Sequence, residues 1–519
     1  MATMEYTLKN LNSNLFLHTS DTELSKFCAE VFLLGKKYPK IYQRIEADQD
    51  TRAKLKKQLR QLDRQYISNQ TPDFPGLDYD ISNLSPEELD LKTGRPRMMP
   101  ELVFLFTCLR GYYGSVTDRY ICDRLLDSMT LYVVFGNLNL KMPAPTTILE
   151  NINCLSRDTR DLILKCQLED IMNSGLDDFT YVLFDSTAVN ASSCWPTDAG
   201  IAYRLLNRVY VYGKKLEDFG ISSIQEFYLL DWLKQLKQLL FKINNTHGTK
   251  KCSKKKKIMP LYRDFLKTAH KAYEYLVRIF ELRSVDIKDI DLCPSLMLQL
   301  KKVHGHMEDD LRTISRVLYY TEDRIFNDVV LPSAEKILSL SDVTAAFINK
   351  GQRNPVIGYK PQLAQSGNGF VTGMLLEQGN TSDSASLFPL ANLHAGNTGV
   401  IPAFISADDG YSSGTGRKKC LAFGVKDVCL SGSKGKKITP DELWTSEEYI
   451  SGRRKRSAIE SLMFTLKYVF EFGQLRRRGL ENTRAEMTEE IIAYNFRRKI
   501  LLQEQLQKEK AEAQIKKSA

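Results

Sequence analysis

The spacing of hydrophobic positions is helical through the first third of the chain. Residues 1–90 are mostly polar, and apolar positions within 45–67 recur as in an amphipathic helix, so this part predicts a helical N-terminal arm. Residues 91–175 predict short helices separated by glycine- and proline-containing turns, with one apolar face made by Leu102, Leu105, Phe106 and Leu109. Such a unit is either a DNA-binding domain or a plain helical bundle, and the pattern leaves both open.

A strand-like pattern begins after this helical unit. The consecutive apolar residues Tyr181–Phe184 predict a buried strand, and we assign 176–200 to the first part of a core domain. The strand ends at Asp185, whose carboxylate should face a cleft, since burying it unpaired would be costly. Residues 201–345 return to helical spacing and predict a large helical insertion, with the lysines of 250–257 on an exposed loop.

Strand patterning resumes in residues 346–480, which we assign to the remainder of the core. Two apolar runs, 356–363 and 370–376, flank Gly367-Asn368-Gly369 and predict a hairpin. A helix starting at Ser382–Asp383 and a strand over 400–406 follow, and a long amphipathic helix begins near Ser457. This alternation predicts a layered α/β core. Residues 481–519 predict a basic C-terminal helix or tail.

Charge and composition restrict the classes of function. The chain has 519 residues and a net charge of +10, and Gly452–Ala519 alone holds 16 basic and 9 acidic residues. This clustering suits contacts with phosphates, although a solvated helical face gives the same pattern. Ten cysteines without a Cys-x-x-Cys pair, and only six histidines, argue against a zinc finger. No signal peptide or apolar stretch of roughly 20 residues is visible, so we expect a soluble cytoplasmic protein without a membrane partner.

Three acidic residues are candidates for metal-dependent chemistry. Asp185 and Asp408 each follow a predicted strand, whereas Glu460 lies on a predicted helix between Arg456 and Lys467. Cleaving a phosphodiester requires an activated water and a stabilised leaving oxyanion, and two divalent ions held by carboxylates can supply both. Each residue also has an ordinary structural interpretation, as a turn or cap residue or as an i,i+4 salt bridge. Asp409 is an alternative to Asp408.

These motifs resemble those of bacterial insertion-sequence transposases of the DDE superfamily. Phe184-Asp185-Ser186-Thr187 is similar to their first acidic motif, and Asp408-Asp409-Gly410-Tyr411 is similar to the second. Arg456, Glu460 and Lys467 match the spacing of the third. Weaker similarities over residues 94–500 lie in Gly94-Arg95-Pro96, Trp195-Pro196-Thr197-Asp198, and Gly379-Asn380 with Asp383. The chain departs from many relatives in having Arg453 where they have a tyrosine, and in the 223 residues between Asp185 and Asp408.

The resemblance implies an RNase H-like core, a mixed sheet flanked by helices. It also implies that Asp185, Asp408 and Glu460 are the catalytic metal ligands for two Mg²⁺ or Mn²⁺ ions. The expected activity is binding of terminal inverted repeats, strand cleavage and transfer into target DNA by a homo-oligomer, in the cytoplasm at the nucleoid. The alternatives are a nuclease of the same fold that does not transpose, and an inactive transposase-derived DNA-binding protein. The expected DNA-contacting residues are Arg453, Arg454, Arg456, Lys467, Arg476 and Arg477.

Overall fold

The computed structural model describes residues 22–70, 97–128, 131, 143–192, 197–221, 227–246, 251–330, 336–350 and 355–518. The chain divides into two compact units. The first comprises Met1–Arg52, Arg95–Ser193 and Thr344–Ala519, and the second comprises Ala53–Gly94 and Cys194–Val343. The domain boundaries drawn from the sequence stay predictions. Gly94-Arg95-Pro96, Trp195-Pro196 and Lys250 lie outside the described residues.

The N-terminal third is helical where it is described. Pro100 and Pro145 occupy the first helical turn of their helices, where a missing N–H is tolerated. The side chains of Thr117 and Ser156 cap two others by accepting backbone N–H groups. The helices are α1 (Thr22–Lys37), α2 (Lys40–Gln70), α3 (Pro100–Tyr112), α4 (Asp118–Asp127), α5 (Pro145–Asn153) and α6 (Arg157–Asn173).

Within the described ranges, eight strands form two sheets, both in the first unit. The strands are β1 (Tyr181–Ser186), β2 (Val189–Asn190), β3 (Ala346–Ile348), β4 (Val356–Tyr359), β5 (Gln362–Ser366), β6 (Val371–Leu375), β7 (Phe404–Ala407) and β8 (Asp427–Leu430). The main sheet has the order β6-β5-β1-β7-β8, and the smaller sheet has the order β2-β4-β3. In the main sheet β1, β7 and β8 are parallel, whereas β5 and β6 run antiparallel to their neighbours. The predicted mixed sheet is confirmed, and so is the hairpin turn at Gly367–Gly369, which joins β5 and β6. The predicted first strand of that hairpin, 356–363, is instead divided between β4 of the smaller sheet and β5 of the main sheet.

Between residues 197 and 330, the described part of the second unit consists of helices joined by short connections. Thr197 caps its first helix by accepting the Gly200 N–H, and Asp198 on that helix forms an ion pair with Arg324. Buried apolar side chains from all four helices form one core. The lysine run predicted as a loop is helical from Lys251 onwards, because lysine is a good helix former. The helices are α7 (Asp198–Glu217), α8 (Phe227–Asn244), α9 (Lys251–Asp289) and α10 (Pro294–Phe326).

Helices cover both faces of the main sheet. Val182, Phe184, Ile405 and Ala407 point to one face, where they pack with α11 (Asp383–Thr398). On the other face, the side chains of Tyr181 and Ser406 donate hydrogen bonds to the carbonyl of Gly452 on α15 (Glu447–Lys455), at 2.9 and 2.8 Å. The remaining helices are α11 (Asp383–Thr398), α12 (Gly414–Phe423), α13 (Gly432–Ile438), α14 (Asp441–Trp444), α15 (Glu447–Lys455), α16 (Ser457–Val469) and α17 (Leu480–Ser518).

The last helix is tied into the first unit by a buried ionic cluster. The carboxylate of Glu489 on α17 is fully buried, and it accepts hydrogen bonds from Arg110 at 2.8 and 2.9 Å and from Arg160 at 2.9 Å. Arg477 approaches the same carboxylate at 3.3 Å. A buried ionic cluster of this kind holds its helices in place, because moving one charged group away would leave a buried charge without its counter-ion.

Candidate active site

Asp185 and Asp408 lie side by side at the ends of two neighbouring strands. Strands β1 and β7 are parallel, and Phe184 pairs with Ala407, so each aspartate is the next residue along its strand. Because side chains alternate along a strand and Phe184 and Ala407 face α11, both aspartates are directed towards the α15–α16 side of the sheet. Burial, and next the negative charge of Asp185, raise the pKa of Asp408. The two carboxylates therefore repel each other across a partly buried site.

The adjacent Asp409 has a different role. Its carboxylate accepts a hydrogen bond from the Gly435 N–H at 2.9 Å and one from the Ser412 hydroxyl at 3.1 Å. These contacts join the turn that follows β7 to the first turn of α13. Asp408 Oδ1 accepts only the Gly410 N–H within its own turn, at 3.0 Å. This arrangement supports Asp408 over Asp409 as the candidate site residue.

A third aspartate, Asp383, borders the same site. It is the first residue of α11 and directly follows the capping residue Ser382. The sequence predicted that a helix starts at these two residues. A methyl group placed on Gly410 would lie 3.0 Å from Asp408 Oδ1 and 3.1 Å from Asp383 Oδ2, so these two carboxylates flank the glycine. Asp383 was not among the predicted site residues, although the family-like segment Gly379-Asn380 before it could have indicated its place in the site.

Asp383 is held in its charged form by two neighbours. The Lys360 ammonium lies 2.9 Å from Asp383 Oδ1, and the Gln362 amide donates to the same oxygen at 2.8 Å. Burial opposes the charged form, but these hydrogen bonds outweigh burial and lower the pKa of Asp383. Tyr411 completes the network by donating its hydroxyl hydrogen bond to Gln362 Oε1. Burial, together with the three nearby aspartates, raises the pKa of the Tyr411 phenol well above its ordinary value, so it stays neutral.

Two further lysines approach the aspartate pair. Lys350 Nζ lies 2.9 Å from Asp185 Oδ1 and also donates to the carbonyl of Ser186. Lys467, on α16, is half-buried, and burial and then the Lys350 charge lower its pKa, whereas Asp185 raises it. None of the ion pairs among the described residues involves Lys467. Its ammonium is therefore a cation near Asp185 that is free to contact a phosphate.

Glu460 is placed on the predicted helix but not with the aspartates. Its carboxylate accepts a hydrogen bond from Arg456 at 2.8 Å, and its side chain is 59% exposed. Along α16 it precedes Lys467 by seven residues, or about 10 Å of helix axis. Across the part of the chain that the structure describes, no group of three or more His, Cys, Asp or Glu side chains is close enough to hold a metal ion. The catalytic assignment of Glu460 stays a prediction.

The other predicted DNA-contacting arginines have different surroundings. The Arg453 guanidinium stacks on Trp444 at 4.0 Å from the ring centre and donates to the Trp444 carbonyl. Arg454 is exposed. Arg476 forms an ion pair with Glu471 at 2.6 Å, and Arg477 belongs to the buried Glu489 cluster with 19% of its side chain exposed. The Arg454 side chain is thus accessible to a ligand, whereas the guanidinium groups of Arg453 and Arg477 already contact Trp444 and Glu489.

The chemistry of the aspartate pair fits a divalent cation. Carboxylate oxygens are the ligands that Mg²⁺ and Mn²⁺ prefer. The electrostatic repulsion that raises the pKa of Asp408 is the kind that a bound cation relieves. In the structure, positive charge at this position comes from Lys350. Asp185 and Asp408 are therefore the residues most suited to hold a metal ion.

Residues 345–496 match the family model described as the transposase DDE domain. The match contains four of the five strands of the main sheet, together with Asp408 and Glu460. Strand β1, with Asp185, precedes the match in sequence and inserts between β5 and β7 at the centre of the sheet. Residues 345–496 are therefore a transposase DDE domain, which is found in enzymes that act on DNA and generally use divalent metal ions. Comparisons with curated proteins and with solved structures gave no match.

Among the described helices, none combines the length and apolar character needed to span a membrane.

Proposed function

We propose that this protein is an insertion-sequence DNA transposase that binds terminal inverted repeats and catalyses metal-dependent strand cleavage and strand transfer. The observation that carries the proposal is the register of β1 and β7. This register sets Asp185 beside Asp408 in a sheet whose other strands all lie in the matched DDE domain. A mixed sheet covered by helices on both faces supports the RNase H-like core that the sequence resemblance implies.

Asp185, Asp408 and Glu460 would hold two Mg²⁺ or Mn²⁺ ions, which when bound supply an activated water and stabilise the leaving 3′ oxygen. The protein contributes the positions of these carboxylates. Gly410 N–H fixes one oxygen of Asp408, and the neutral phenol of Tyr411 adds no further negative charge beneath the pair. Lys467 lies close enough to Asp185 for electrostatic interaction and would hold a phosphate of the scissile strand.

Glu460 joins this site only by leaving Arg456. Exposed i,i+4 ion pairs of this kind contribute about 0.3–0.5 kcal/mol to stability, so little free energy is needed to break the pair. We propose that a DNA phosphate replaces the carboxylate on Arg456, since a guanidinium binds either group with two parallel hydrogen bonds. DNA binding and completion of the metal site are then coupled. Two ends must be held together for transposition, so the proposal includes a homo-oligomer on DNA.

The test uses a supercoiled plasmid that carries the gene with its native flanking DNA. We expect Mg²⁺- or Mn²⁺-dependent nicking at the element ends by the full-length protein. Asp185→Asn, Asp408→Asn and Glu460→Gln should each reduce nicking at least about a hundredfold, the usual loss when one group that stabilises the transition state is removed. Asp409→Asn is the matched control, because an asparagine oxygen can still accept the Gly435 N–H, and it should retain activity.

The outcomes separate the alternatives. Loss of nicking in Asp409→Asn, with activity kept in Asp408→Asn, would move the second carboxylate by one residue. Full activity in Glu460→Gln would remove that residue from the site. End-specific binding without nicking in any metal would favour an inactive DNA-binding protein. Nicking without joining of the 3′ ends to a target plasmid would favour the nuclease.

A further inference from the structure

Two lysine–aspartate pairs at the candidate site have the same length but different surroundings. Lys350 lies 2.9 Å from Asp185, and Lys360 lies 2.9 Å from Asp383. The Lys360 side chain is 9% exposed, whereas that of Lys350 is 27% exposed. Lys360 therefore has little solvent to move into, while Lys350 already borders solvent.

The backbone around the two lysines differs in the same direction. Lys360 lies between β4 and β5, each of which pairs with a strand on both sides. Each lysine also donates to one backbone carbonyl, that of Thr381 for Lys360, at 3.0 Å, and that of Ser186 for Lys350. Lys350 follows β3, an edge strand of only three residues in the smaller sheet. Among the described strands, β3 pairs only with β4, on one side, so fewer backbone hydrogen bonds restrain the residues that follow it. Lys350 can therefore leave its aspartate at a smaller structural penalty than Lys360 can.

The charge of Lys350 acts on the whole aspartate pair. Its ammonium contacts Asp185 Oδ1 directly, and its positive charge also opposes the rise in the pKa of Asp408. It thus offsets part of the negative charge of two neighbouring carboxylates in the free protein, as a metal ion would do more fully. The ammonium and a bound Mg²⁺ would compete for the same carboxylate oxygen. Mg²⁺ binds its ligands at about 2.1 Å, so the ammonium would be a second cation a few ångströms away, and the two would repel each other.

We propose that Lys350 is an internal counter-ion that occupies the cation position between Asp185 and Asp408 in the free protein and is displaced when a divalent ion binds. This inference rests on the proposed function, because it takes the aspartate pair to be the metal centre. Its consequence is that the free protein binds metal more weakly than its carboxylates alone would. Metal binding then releases an ammonium at the edge of the site.

The first experiment measures Mn²⁺ binding to the full-length protein without DNA, from the electron paramagnetic resonance signal of free Mn²⁺. We expect Lys350→Met to bind Mn²⁺ on the order of ten times more tightly than the wild type, a typical size for coupling between two competing ligands. Lys350→Arg keeps the charge and should stay near the wild type. Lys360→Met is the matched control and should give no tightening, because its partner is Asp383.

The second experiment detects the displacement in the wild type and so does not depend on any variant folding. Amine acetylation with and without Mg²⁺, mapped by mass spectrometry, should show faster labelling of Lys350 when Mg²⁺ is present. Labelling of Lys360 should not change. Equal labelling of Lys350 in both conditions would overturn the proposal, as would Mn²⁺ binding in Lys350→Met that is unchanged or weaker.

Asp185→Asn separates this inference from the function on which it rests. Loss of Mn²⁺ binding in Asp185→Asn places the ion at the aspartate pair, and the Lys350 results then decide the inference alone. Mn²⁺ binding that is unaffected by Asp185→Asn, or no binding by any form either without DNA or with an element-end duplex added, would refute the metal centre itself.

Discussion

The buried histidine of α11 should make the stability of the protein depend on pH. His394 is fully buried, and its Nε2–H donates to the Phe179 carbonyl at 3.0 Å just before β1. Its Nδ1 lies 2.7 Å from the Thr372 hydroxyl on β6. The ring thus joins the helix that begins at Asp383 to the sheet that bears Asp185, and both nitrogens have partners suited to the neutral form.

The size of the effect follows from the pKa. Burial lowers the pKa of His394 from 6.5 to about 4. As the pH falls, His394 is therefore protonated in the unfolded chain before it is protonated in the folded protein. Its contribution to the free energy of unfolding is complete above pH 6.5 and is lost as the pH falls towards 4. The full difference corresponds to about 3 kcal/mol, and between pH 7.5 and 5 the loss should be about 2 kcal/mol.

The assay is urea unfolding of the wild type and of His394→Gln at a series of pH values from 7.5 to 5. Carboxylates also titrate towards the lower end, but they are common to both proteins, so the difference between the two curves isolates His394. The variant is expected to be less stable at pH 7.5 and to lose about 2 kcal/mol less on acidification. His270→Gln, at an exposed histidine, should follow the wild type.

Parallel pH dependence of the wild type and His394→Gln would refute the reasoning, whatever the stability of the variant at neutral pH. It would mean that His394 accepts its proton as readily in the folded protein as in the unfolded chain. The ring would then have to be reached by water, contrary to its burial.

Three other predictions follow from the described contacts. Glu489→Gln should destabilise the protein by about 3–5 kcal/mol in urea unfolding, because it removes the negative charge that pairs with the buried Arg110 and Arg160. The control is Glu504→Gln, in a partly exposed pair, which should change stability by less than about 1 kcal/mol. Gly410→Ala should weaken Mn²⁺ binding while circular dichroism stays unchanged, since the new methyl would lie 3.0 Å from a carboxylate oxygen of Asp408; equally tight binding would contradict the geometry. Tyr411→Phe should lower stability by about 1–3 kcal/mol by leaving a buried amide oxygen unpaired, and an unchanged melting temperature would count against that contact.

Local sequence patterns predicted most of the elements around the site. The consecutive apolar residues before Asp185 gave a central strand, and the run before Asp408 gave another. The apolar stripe of α16 is buried as its spacing requires: Ile459, Leu462, Met463, Leu466 and Phe470. These features depend on neighbours within a few residues, where side-chain periodicity follows directly from backbone geometry.

The partners of the site residues were not predictable in the same way. Lys350 and Asp185 are 165 residues apart, and Lys360 reaches Asp383 only because β4 and β5 bring it there. The choice between Asp408 and Asp409 rested on motif register alone until the Gly435 contact gave Asp409 a structural role.

The sequence by itself determined that the chain has a strand-and-helix core, that two strands end in aspartates, and that an amphipathic helix carries Glu460. Only the tertiary structure decided that β1 enters the sheet between β5 and β7, and that Lys467 lies at Asp185 while Glu460 remains with Arg456. The reason is physical: local periodicity fixes which face of an element is buried. The register between distant strands and the counter-charge of a buried carboxylate depend on contacts made only when the whole sheet assembles.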